Sequence, residues 1–142
     1  MTGLAFPKPE PRARERKRVP RSNAGGRLIS KAERACSKLA KKRAGGVCEI
    51  SGKRGTETAH GFSKGSCPSV RFDGRNLFWV THEVHMRGHE EPEWWRGWML
   101  RLLGIEEYHS LLLRSVFGDM DDPREVLAAA SAGRFLIERK AA

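Results

Sequence analysis

A chain of 142 residues is the length of one compact domain with an arm to spare. Its formal net charge of +10 is uneven: residues 1–43 hold 14 Lys and Arg against three Glu, while residues 44–142 hold 13 basic against 14 acidic side chains. No apolar run approaches the ~20 residues that a bilayer span needs, and three cysteines at irregular spacing, Cys36, Cys48 and Cys67, make no disulfide framework.

The basic excess points to a polyanionic partner, because Lys and Arg that meet phosphates gain affinity from counterion release. Nucleic acid is the first candidate and an anionic membrane surface a weaker one. The opening MTGLAFPKPEPRARERKRVP has no apolar core of a secretory signal. The expectation is a soluble, cytoplasmic protein without a membrane partner; its oligomeric state is left open.

Residues 1–28 are rich in Pro and Arg and poor in large apolar side chains, so a disordered basic arm is expected there, followed by a single domain over residues 29–142. Ser30, with Glu33 three residues on, reads as a capping box opening a helix from about Lys31 to Ala44, which Gly45 and Gly46 stop. Ala32, Ala35, Cys36, Leu39 and Ala40 recur at helical spacing and leave a basic surface around them. Lys38, Lys41, Lys42 and Arg43 are therefore candidate nucleic-acid contacts.

VCEI and TETAHGF, on either side of SGKRG, read as a hairpin with His60 near the end of its second strand. The turn-rich SKGSCPSVRFDGRN leads to a short apolar strand, NLFWVT. Helical spacing then takes over. One helix starts near His82, Pro92 fits the first turn of a second that ends at Gly104, and two more are expected over Glu106–Phe117 and Pro123–Ala132. The Trp94, Trp95, Trp98, Leu102 and Leu103 stripe has the spacing of core packing rather than of a base-stacking platform.

Three of the five histidines, His82, His85 and His89, fall within eight residues. On a helix His85 and His89 stand at i and i+4, so both rings can bind one cation. His60, at a strand end, is suited to act as general base beside that ion, since an imidazole titrates near ~6.5. The ion itself would stabilise charge developing on a scissile phosphate. Asn76, in the connecting loop, can hold that loop in place by bonding backbone groups. Lys64, Arg71 and Arg75 flank these residues on turn-rich segments and suit phosphate positioning.

The order hairpin-His, loop-Asn, helix-His resembles the HNH (His-Me finger, ββα-metal) nucleases. NLFWVTHEVH fits their frequent pattern N-L-x-x-x-C-x-x-C-H, with Thr81 and Val84 at the cysteine places. More narrowly, AHGFSKGSCPSVRFDGRN followed by GHEEPEWWRGWMLRLLGIEEYHSLL is similar to the NinG/Rap family of phage recombination nucleases, over about Gly46 to Leu113. The resemblance implies an α+β fold: a small ββα-metal core over residues 46–104, further helices over 105–142, and a basic arm and helix in front. It implies a DNA endonuclease of phage or prophage kind, active in host cytoplasm or nucleoid, with branched recombination intermediates as substrate and Mg²⁺ or a similar divalent ion as cofactor. His60 becomes the general base, Asn76 the structural loop residue, His85 the third motif position and a metal ligand, and His89 a second ligand.

Two departures stand out. Ala59 occupies the place where many members carry a metal-binding Asp or His. The structural zinc that members hold on two C-x-x-C pairs has only Cys48 left of the first pair, Ser51 replacing its partner, so at most a Cys48 and His82 remnant is expected. These departures motivate a second reading, a DNA- or RNA-binding protein that keeps the frame without the chemistry. A third is a basic RNA-associated structural protein, which leaves the four-residue constellation unexplained.

Overall fold

The computed structural model describes residues 23–140 of the chain. The expected arm lies, over residues 1–22, outside them. In chain order the elements are α1 (Asn23–Arg43), β1 (Glu57–His60), β2 (Leu77–Val80), α2 (His82–Glu90), α3 (Pro92–Leu103), α4 (Ile105–Phe117) and α5 (Pro123–Ser131). The fold is α+β, with β1 and β2 paired antiparallel, Glu57 opposite Val80 and His60 opposite Leu77.

α1 begins eight residues before the expected start at Lys31, and Ser30 sits inside it rather than capping it. The reason is packing. Ile29 extends the apolar stripe of Ala32, Cys36, Leu39 and Ala40, and that stripe lies in a cluster with Phe72, Leu77, Val126 and Phe135. Burying one more turn of a stripe outweighs a local capping preference worth ~1 kcal/mol. Glu33, freed from capping, pairs instead with Arg71 at 3.0 Å and Lys64 at 3.3 Å.

The hairpin also differs from expectation. VCEI contributes no strand: Val47 and Arg54 form one isolated bridge around a tight turn, and TETAH pairs with LFWV instead. Leu77 to Val80 are buried on both faces, so they need a partner with inward side chains on each side. β1 meets that need by alternation. Ala59 packs toward Val84, Trp95 and Met99 on the α2 and α3 side, while the Thr58 hydroxyl is 2.6 Å from that of Ser37 on α1.

Two layers of core result, one on each face of the sheet. On the α3 side, Trp95 meets Phe78 edge to face at 5.4 Å and donates its indole N–H to the Gly61 carbonyl at 3.1 Å. The tail after α5 closes the other side. Phe135 is buried, the Gly74 N–H donates to the Ile137 carbonyl at 2.8 Å, and Arg139 donates to the Leu77 carbonyl at 2.8 Å. Among the described residues, no helix is long and apolar enough to cross a membrane.

Candidate functional site

β1 ends at His60, and the chain then loops through residues 61–76 before entering β2. Asn76, fully buried, holds that loop. Its Oδ1 accepts from the Phe62 N–H at 2.6 Å, and its Nδ2 donates to the Phe62 carbonyl at 3.0 Å and the Val70 carbonyl at 3.2 Å. A side-chain amide presents a donor and an acceptor side by side, so one residue can satisfy both backbone groups of Phe62. Gly61 must be small here, since a Cβ would stand 2.4 Å from Met99 and 2.9 Å from Asn76 Oδ1.

His60 is thereby fixed with its Nε2 3.2 Å from the Arg71 carbonyl. A carbonyl only accepts, so in the neutral ring Nε2 carries the hydrogen and Nδ1 keeps its lone pair. Burial pushes the His60 pKa down to about 4, the hydrogen bond to Arg71 opposing this and the charges of Lys64 and Arg71 adding to it. At neutral pH the imidazole is uncharged.

α2 is launched by Thr81, whose hydroxyl accepts from the Val84 N–H at 3.2 Å. Val84 anchors the helix to the core, which turns His85 and His89 to the neighbouring face, their ring centroids 4.9 Å apart. Gly88, one residue before His89, admits Trp95: a Cβ there would come 3.1 Å from the indole. His85 donates from Nδ1 to Glu57 Oε2 at 2.5 Å, and His82 from Nδ1 to Glu57 Oε1 at 2.8 Å. The hydrogen bond from His85, with a smaller one from His82, holds the Glu57 carboxyl below its ordinary range against a desolvation penalty.

Glu57 was not singled out by the sequence, although its place three residues before His60 is a usable signal. A carboxylate on Nδ1 orients an imidazole and leaves Nε2 free for a ligand, the usual support of a metal-binding histidine. His60, His85 and His89 border one cleft of about 510 Å³, together with Lys64 and with Arg96 of α3, a cation no motif distinguishes. They do not form one metal cage. Among the described residues, no group of three or more His, Cys, Asp or Glu side chains is placed to hold a metal ion. Ala59, 1% exposed in the core, supplies no ligand.

Two of the expected nucleic-acid contacts are taken up inside the fold. Arg75 does not face the cleft: it is buried against Asp73, donating to it from Nε at 3.0 Å and from Nη2 at 2.8 Å, and to Ser110 at 2.7 Å. Arg43 is likewise structural, donating to the Gly74 carbonyl at 2.8 Å, to the Leu77 carbonyl and to Glu138, with Phe135 beneath it. Arg71 and Lys64 share Glu33. Lys38, Lys41 and Lys42 remain exposed on α1.

The two residues of the expected zinc remnant differ in exposure and partner. Cys48 is buried in the core, whereas the His82 side chain is 71% exposed and turned to Glu57. Burial raises the Cys48 pKa, but hydrogen bonds from Ser51, Ile50 and Thr81 more than offset this and lower it; the Ser51 N–H lies 3.3 Å from Sγ. The thiol accepts from backbone N–H groups around it.

No protein-family model, curated protein or solved structure matches this chain.

Proposed function

We propose that the protein is a divalent-metal-dependent endonuclease of the HNH type, hydrolysing DNA phosphodiester bonds, with a preference for branched recombination intermediates. The observation that carries the reading is the common cleft of His60, His85 and His89, with Asn76 beneath it and a carboxylate behind His85.

In this reading His60 is the general base. Its Nε2–H is occupied by the Arg71 carbonyl, so Nδ1 is the atom that would take a proton from attacking water. A base with a pKa of about 4 in the free protein is weak. A phosphodiester bound beside it adds negative charge, which favours the imidazolium and raises the pKa toward the working range. Lys64 and Arg96 border the same cleft and would position that phosphate.

His85 and His89 fit a divalent ion as a two-imidazole donor pair, with remaining positions left to water and substrate oxygens. Such an ion would supply charge stabilisation at the phosphate and its leaving oxygen. Two nitrogen ligands suit Ni²⁺ or Zn²⁺ better than Mg²⁺, which prefers oxygen. Nicking of supercoiled plasmid across these ions, against a chelator control, tests the reading.

The second reading, a nucleic-acid-binding protein on a frame without chemistry, draws support from Ala59 in the core and from the want of a third ligand among the described residues. It predicts salt-sensitive binding with no strand scission under any divalent ion.

A further inference from the structure

On the α1 side of the sheet lies a second depression of about 420 Å³, distinct from the histidine cleft and lined by Lys41, Gly46, Arg54, Gly55, Thr56 and Trp79. No acidic residue lines it. Lys41 stands over the Trp79 ring at 5.8 Å, and neither Lys41 nor Arg54 is paired with a carboxylate among the described residues.

Trp79, 7% exposed, has an indole N–H with no hydrogen-bond partner among the described residues. A buried donor of this kind is uncommon, and each instance calls for an explanation. Gly55 closes over the same atom: a Cβ there would stand 2.3 Å from Nε1, so only glycine permits the approach. Two unpaired cations and a hydroxyl thus border one pocket floored by the Trp79 indole, a donor set that a phosphate oxygen cluster accepts from.

Thr56 and His60 are four residues apart along one edge, a span of about 13 Å at the rise of a strand. One strand of nucleic acid lying along α1 and β1 can therefore meet both places.

We propose that Lys41, Arg54 and Thr56, gathered around the Trp79 indole, form a phosphate subsite that holds the nucleic-acid backbone a few nucleotides from the phosphate at His60. The proposal rests on the nucleic-acid reading above and adds to it a second phosphate contact, at the start of β1 where His60 stands at its end.

The test is the ¹⁵N–¹H indole resonance of Trp79, assigned by its loss in Trp79→Phe, during titration of the labelled protein with a short DNA duplex and, separately, with inorganic phosphate. DNA is expected to shift this resonance in the wild type and not in the Lys41→Gln, Arg54→Gln double variant, whose exposed substitutions leave the fold intact. The salt dependence of binding should also become shallower in the double variant, by roughly one to two in the slope of log K against log salt. DNA that binds without moving the Trp79 resonance overturns the subsite and leaves the nuclease reading standing. A shift with inorganic phosphate but none with DNA overturns the backbone assignment in favour of a small anion. A protein that binds no DNA overturns both.

Discussion

His85 donates its Nδ1 hydrogen to the Glu57 carboxylate at 2.5 Å, and this bond decides which ring nitrogen is left for the cleft. Glu57 stands on β1, three residues before His60, so the same short strand sets the tautomer of one histidine and the position of another.

Glu57→Gln removes the charge that fixes this tautomer while keeping the shape. Loss of such a support costs a metal-binding histidine roughly 10–100-fold in affinity. Calorimetric titration with Ni²⁺ or Zn²⁺ should therefore show binding weakened by that order, with the melting temperature changed little. Unaltered affinity would mean that His85 is not a ligand.

Asn76→Ala should destabilise the fold by about 3 kcal/mol, because it leaves the buried Phe62 and Val70 backbone groups without their partner. Urea unfolding measures this directly. A loss under 1 kcal/mol would show that the loop over residues 61–76 is held by something else.

The depressed pKa of His60 makes stability depend on pH in a known direction. Above about 6.5 the ring is neutral in both native and unfolded chains and contributes nothing to the pH dependence. Between 6.5 and about 4 the unfolded chain takes up a proton that the native site refuses. Stability should fall through that window by up to about 1.4 kcal/mol per pH unit. His60→Gln keeps a donor for the Arg71 carbonyl and should flatten the slope by that amount; equal slopes in the two proteins would contradict the burial of a neutral imidazole.

Arg75 and Lys64 should separate cleanly. Asp73 is fully buried and shared between Arg75 and Arg114, so Arg75→Met should lower stability by about 3 kcal/mol and leave the salt dependence of DNA binding unchanged. Lys64→Gln should do the reverse, reducing affinity with little effect on unfolding. Weaker DNA binding by a folded Arg75→Met protein would put that side chain back in the interface.

The helices after Thr81 were legible from the helical spacing of their apolar residues, with Pro92 marking the first turn of α3 and Pro123 that of α5. The His85 and His89 pair was legible from its i, i+4 spacing, and Asn76 from its place in the loop before β2 and the family resemblance. What local pattern could not reveal is what tertiary partners decide. The start of α1 depends on Ile29 finding a pocket among Phe72, Val126 and Phe135, far away in the chain. The pairing of β1 depends on a partner beyond the loop of residues 61–76, while VCEI looked like the nearer mate. Arg75 and Arg43 read as surface charges because nothing local shows that Asp73 and the tail after α5 will cover them.

The most direct test of His60 as the base of a metal-dependent nuclease is nicking of supercoiled plasmid by wild type and His60→Ala, with DNA binding followed in parallel. The expected result is divalent-ion-dependent nicking by the wild type that falls by two or more orders of magnitude in His60→Ala, a loss typical of removing a general base, with binding retained. Nicking that survives the substitution would remove His60 from its role, and a wild type that binds DNA but cuts it under no divalent ion would leave a binding protein on the same frame.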